Sequence, residues 1–199
     1  FLSDPRSALA CYLSGAHERI SFAQPLRRHL YTHTVPVHNS EDPEYSARHK
    51  LRLAAALGAR EEDDRTEIYL SQQDTVFADM IWRDRGWRDV PLAAFFIHSR
   101  RDYKRWPLNH FAEVIQHLAR QDHVMPIVLK TPGDDAAVET LTTLAGLEES
   151  QVLDVGDLGH LGAVLARCAV LIGNDGGPKH LAVALGTATV TVFGDERPE

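Results

Sequence analysis

Residues 171–194 read LIGNDGGPKHLAVALGTATVTVFG: an apolar strand, a glycine-rich polar turn, a helical run and a second strand follow without interruption. Pro178 suits the first helical position, where a missing N–H costs nothing, and the run from Pro178 to Leu185 reads as one short helix. The same order repeats upstream. VLDV (152–155) precedes a helix carrying Leu158, Leu161, Val164 and Leu165, and AVLI (169–172) follows it. MPIVLK (125–130) precedes a helix lined by Val138, Leu141 and Leu144, which Gly146 can end in a left-handed cap. AAFFIH (93–98) leads through a basic loop to Pro107 and a helix whose Phe111, Val114, Ile115 and Leu118 share one face. Strands alternating with helices of this length require crossover connections, hence an α/β domain with a parallel sheet and helices on both faces.

Residues 1–90 are less regular. A helix at 46–57 ends at Gly58, the acidic run EEDD (61–64) follows, and EIYL (67–70) reads as a strand before a helix entered by Ser71 with Asp74 three residues on. GWRDVP (86–91) combines glycine, proline and polar residues, which places a domain boundary there and divides the chain into 1–90 and 91–199. The chain opens without Met or a signal-peptide pattern and stops straight after a strand, so the reading is of a fragment lacking both ends.

Composition narrows the function. With 199 residues, 44% hydrophobic and 25% charged, the chain can bury a substantial core, and its formal charge of −7 argues against a general nucleic-acid binder. Any site for a polyanion must be local. Cys11 and Cys168 show neither disulfide-framework nor zinc-ligand spacing, which fits a reducing cytoplasm, and no apolar run is long enough for a transmembrane segment.

In a doubly wound sheet ligands bind beyond the carboxyl ends of the strands. The loop after 98 carries Arg100, Arg101, Lys104 and Arg105; singly each suits a solvated surface, but their clustering at a strand end favours an anion. The loop GNDGGPKH offers the amides around Gly177, Lys179 and His180 at a helix terminus, where a phosphate is favoured, with the His180 imidazole in addition. With Pro178 first in the helix the cap falls on Gly177, so Asp175 lies two residues too early to cap and is placed instead to accept hydrogen bonds from sugar hydroxyls. His29 and His33 lack a third metal ligand, EEDD lacks the spacing of a calcium loop, and Cys168 suits the core.

The two segments IHSRRDYKRWP and GNDGGPKHLAVALGTATVTVFG resemble the signature regions of glycosyltransferase family 9, the ADP-heptose:lipopolysaccharide heptosyltransferases and their relatives. YLSGAHERISF (12–22), LYTHTVPV (30–37) and RHKLRLAAALGA (48–59) resemble the family's amino-terminal domain more loosely. The resemblance implies a GT-B architecture of two Rossmann-like domains with parallel sheets, here truncated at both ends: an acceptor-side domain over 1–90 and a donor-binding domain over 91–199. It implies an inverting transfer of a heptose or related sugar from a nucleotide-diphosphate sugar donor to a lipopolysaccharide core or similar glycan acceptor. Neither metal nor cofactor is expected, and the location expected is cytoplasmic, peripheral to the inner face of the membrane.

Residue by residue, Lys104 matches the lysine on the donor phosphates and Trp106–Pro107 the structural WP pair. Ser99 and Arg100 stand where hydroxyl residues touch the donor, with Arg100 a departure. Asp175, Gly177 and His180 match the D(T/S)GPxHLA motif, Gly176 replacing its hydroxyl residue, and Lys179 falls at its variable position. Asp135 corresponds to an acidic residue on the ribose. Lys104 and Asp175 are thus the catalytic candidates, the acceptor's general base is expected upstream, and this stretch alone is expected to be inactive. A nucleotide-sugar epimerase of the same architecture and a non-catalytic nucleotide-sugar or glycan-binding module are the alternatives.

Overall fold

In the computed structural model, residues 5–37, 46–60, 65–87, 90–121 and 123–194 are described, so the acidic run at 61–64 lies outside them. The chain forms two compact units, Phe1–Arg65 with Glu199, and Thr66–Pro198. In the first unit α1 (Pro5–Leu13) precedes β1 (Ile20–Phe22) and β2 (His33–Val35), which pair in parallel with Ile20 opposite His33, and α2 (Ser46–Ala55) follows. The Phe22 ring stacks on His49 at 4.0 Å. His29 lies in a 3-10 turn and His33 in β2, so the two are not on one helix face.

The second unit begins with an extended segment and α3 (Gln72–Asp84), entered through a full capping box of Ser71 and Asp74. Residues 67–70, read from sequence as a strand, form none, and Tyr69 is almost fully exposed. The division falls at 65/66 rather than in 86–91 because α3 packs on the second unit: Phe77, Ile81 and Trp82 join its core, Phe77 stacks on His160, and Asp79 pairs with Arg167.

Then come β3 (Leu92–Phe96), α4 (Leu108–Ala119), β4 (Met125–Lys130), α5 (Asp135–Ala145), β5 (Val152–Asp154), α6 (Leu158–Leu165), β6 (Val170–Asn174), α7 (Gly177–Ala184) and β7 (Ala188–Val192). The five strands form one parallel sheet in the order β5-β4-β3-β6-β7. Alternation along β3 splits the core: Leu92, Ala94 and Phe96 face one cluster with Leu161, Val164 and Leu181, while Ala93, Phe95 and Ile97 face another with Phe111, Ile115 and Leu141. Buried on both faces, β3 has no polar position, as a central parallel strand requires. Gly173 is needed where β6 lies against β3, because a Cβ there would stand 2.5 Å from the Phe96 carbonyl oxygen.

Two helix faces are narrower than their apolar patterns suggested. Leu144 and Leu158 are 46% and 65% exposed, whereas Val138, Leu141, Leu161, Val164 and Leu165 are buried. Gly146 caps α5 in the left-handed conformation as expected (φ 71°). Cys168 is core, its thiol donating to the Val164 carbonyl, and burial pushes its pKa up to about 12. Connections run from β3 outward to β5, then return across to β6 and β7, so the order reverses between β3 and β6. That reversal opens a crevice at the carboxyl ends of those two strands.

Candidate nucleotide-sugar site

Four polar residues are buried among the described residues, and three of them, Ser99, Asp134 and Asn174, follow the carboxyl ends of β3 and β4 or close β6. Asn174 is the joint. Its side-chain amide donates to the Ile97 carbonyl (2.7 Å) and its oxygen accepts from the Trp106 N–H (2.9 Å), so the last residue of β6 latches both ends of the basic loop. Trp106 then packs edge-on against Phe111. Arg105 is spent on the loop itself, donating to the Ser99 carbonyl at 2.9 Å and pairing with Asp102.

The latch turns Lys104 to the centre. Its Nζ donates to Asp175 Oδ2 at 2.8 Å, and Lys179, in the first turn of α7, donates to Asp175 Oδ1 at 2.9 Å while lying 4.8 Å from the Phe193 ring centre. The three side chains are only 13–16% exposed. Burial alone would raise the Asp175 pKa, but the hydrogen bonds and charges of Lys104 and Lys179 outweigh it and hold the carboxyl below the usual carboxylate range. A folded-state pKa below the unfolded value contributes stability above about pH 4 that is lost as pH falls through the folded value. Asp175→Asn should therefore show a smaller drop in melting temperature than wild type between pH 5 and pH 3.

The triad carries one negative and two positive charges, so it attracts an anion. It borders a cleft of about 390 Å³ lined by Phe96, His98, Ser99, Arg100, Arg101 and Lys104 on one side and Asp175, Gly176, Gly177 and Pro178 on the other. Gly176 rather than Gly177 is the N-cap of α7, with Pro178 second in the helix, so Asp175 is one residue from the cap and not two. It makes no cap bond; its own N–H donates to Val192 of the neighbouring strand. The Gly177 position has no atom within 4 Å of where a Cβ would stand, which leaves the helix terminus open to a ligand. The Ser99 hydroxyl, on a residue 6% exposed, bonds to no protein group among the described residues.

Of the residues singled out from sequence, Ser99, Arg100, Lys104, Asp175, Gly176 and Gly177 are brought together. Lys179 serves Asp175 rather than the cleft, and His180 is exposed on the first turn of α7, outside the lining. Asp135 also stays out: its side chain is 76% exposed and bound to Lys130 at 3.0 Å. Its neighbour Asp134 points inward instead, with Oδ1 2.6 Å from His98 Nδ1, and lines a second cleft of about 320 Å³ with Ile97, Trp106, Leu108 and Ala137. Asn174, Asp134 and His98 went unnoticed in the sequence; the only signal was two adjacent aspartates after a strand. Elsewhere, Asp74, Asp157 and His160 could together offer ligand atoms to a cation, but Asp74 and Asp157 already cap α3 and α6.

A parallel sheet of order β5-β4-β3-β6-β7 with a cation-lined cleft at its reversal point defines a doubly wound α/β protein, and comparison narrows the class. The profile of glycosyltransferase family 9 (heptosyltransferase) matches residues 4–199, and the chain belongs to that family. It is 23% identical over 150 residues to the lipopolysaccharide core heptosyltransferase OpsX of Haemophilus influenzae, covering 74% of this chain and 42% of that protein. Lipopolysaccharide heptosyltransferase 1 of Escherichia coli is 30% identical over 111 residues, covering 55% of this chain and 34% of the relative. The fold is shared with a family 9 glycosyl transferase from Veillonella parvula (TM-score 0.79, 22% identity, 98% of this chain and 56% of that one). It is also shared with the E. coli heptosyltransferase WaaC crystallised with ADP-2-deoxy-2-fluoro heptose (TM-score 0.68, 22% identity, 98% and 60%). The chain thus spans less than half the length of these curated relatives.

Proposed function

We propose that the chain forms the donor-binding part, with a portion of the acceptor-side domain, of an inverting heptosyltransferase that moves a heptose from an ADP-heptose-like donor to a lipopolysaccharide core. The convergence of Lys104, Asp175 and the open α7 terminus in one cleft carries this reading, and the names of the relatives supply the sugar and acceptor. Residues 66–198 bind the donor and 1–65 belong to the acceptor side. The acceptor hydroxyl attacks the anomeric carbon opposite the departing diphosphate and gives its proton to a base on the acceptor side. Lys104, Arg100, Arg101 and the α7 terminus meet the charge that develops on the diphosphate. Asp175, with lone pairs left beyond those used by the two lysines, accepts from sugar hydroxyls. The acceptor being lipid-linked, the reaction belongs at the inner face of the cytoplasmic membrane; no helix among the described residues is long and apolar enough to cross one.

The test is incubation of the full open reading frame product with ADP-heptose and a heptose-deficient core. Transfer supports the reading, isomerised nucleotide sugar without transfer would replace it with an epimerase, and binding alone with a non-catalytic module. Lys104→Ala should weaken ADP binding by about 1.5–3 kcal/mol, because a charge-assisted contact goes and Asp175 is left with one cation fewer beside the anion. Calorimetry reads this directly, and unchanged affinity would remove Lys104 from the site.

A further inference from the structure

We infer that His98, oriented by Asp134, is an additional ligand-contacting residue that donates from Nε2 to the donor's diphosphate and couples binding to proton uptake; this rests on the donor-site reading above. His98 lines both the 390 Å³ and the 320 Å³ clefts, so its ring stands where they meet. Its Nδ1 is 2.6 Å from Asp134 Oδ1, and the other Asp134 oxygen accepts from the Thr131 N–H and hydroxyl. The carboxylate, 7% exposed, is fully committed to the loop and to the imidazole. It accepts only, so Nδ1 is the donor and the ring is fixed in one orientation. Phe96 meets the ring edge-on from the strand below. The imidazole is 42% exposed and makes no other hydrogen bond among the described residues, which leaves Nε2 for a ligand.

On a neutral ring Nε2 can only accept; a phosphoryl oxygen needs a donor, so contact requires the second proton. Arg100, Arg101 and Lys104 share its cleft with Asp175, and Arg105 lines the second one with Asp134. The diphosphate, arriving at Nε2, supplies the acceptor for that second proton. Imidazole is the side chain that changes charge near neutrality without special tuning.

ADP-ribose is the probe, because its diphosphate is esterified at both ends, whereas the terminal phosphate of ADP itself changes charge near pH ~6. Wild type should take up a proton on binding, read as a dependence of binding enthalpy on buffer ionisation at pH 7.5, and should lose about tenfold in affinity from pH 6 to pH 8.5. His98→Gln, which keeps an N–H donor without a titrating ring, should bind with no proton uptake and a flat pH profile. Asp134→Asn should reduce the uptake by releasing the ring. Unchanged uptake in His98→Gln overturns the assignment with the donor site intact. Failure of wild type to bind ADP-ribose or ADP at any pH overturns the donor-site reading itself.

Discussion

Asp175→Asn is expected to lower heptose transfer by about 100-fold or more while leaving ADP affinity unchanged or slightly tighter. The carboxylate holds Lys104 and Lys179 through separate oxygens. An amide supplies one acceptor and turns an NH₂ toward an ammonium, so one lysine is released. ADP lacks the transferred sugar and gains a freed cation; the transition state loses the acceptor that positions that sugar's hydroxyls. Transfer rate, ADP affinity and melting temperature measured together separate the roles. A structural cap predicts a silent substitution, since Asn caps about as well as Asp; a metal ligand predicts loss of metal-dependent ADP binding. Normal transfer would end the sugar-holding role.

The second large effect is on stability. Asn174→Ala should cost about 2–4 kcal/mol, because the Trp106 N–H and the Ile97 carbonyl, both held by one buried side chain, lose their partner together. For a chain of this size that is a fall of roughly 5–15 °C in melting temperature. ADP affinity should fall as well, since the loop carrying Lys104 loses its tether to β6. Asn174→Asp keeps the acceptor for Trp106 but sets an oxygen against the Ile97 carbonyl, and should be as damaging. A loss under about 1 kcal/mol in the alanine variant would show that the latch is replaced by water.

The β/α alternation from 92 onward was legible because central parallel strands are buried on both faces and their helices on one, which leaves unbroken apolar runs and a 3.6-residue period. EIYL at 67–70 carried the same β-forming residue types but found no neighbouring strand, and propensity without a ladder does not make one. Leu144 and Leu158 fit the helical period yet lie beyond the width of the buried stripe. In the site, the motif residues on a single loop were readable because glycine, proline and charge at a strand end carry their chemistry locally. The Lys104–Asp175 pair spans 71 residues, and nothing local announces it. Asn174 was overshadowed by the aspartate and glycines that follow it. The choice between Asp134 and Asp135 turns on the entry into α5, where Asp134, the N-cap, is held inward by Thr131 and Asp135 begins the helix facing out, a matter of one residue that spacing alone leaves open.

The lysine–aspartate–lysine triad sits inside a chain whose formal charge is −7. At physiological ionic strength the field of exposed charges fades beyond about 8 Å, so the negative surplus acts on an approaching anion only close to the surface, where the triad and the neighbouring arginines make a local exception to it. The cleft is therefore a small positive opening in a negative surface. Dilute buffer lengthens the reach of the exposed negative charges more than that of the partly buried cations, so anion capture is expected to weaken as salt is removed.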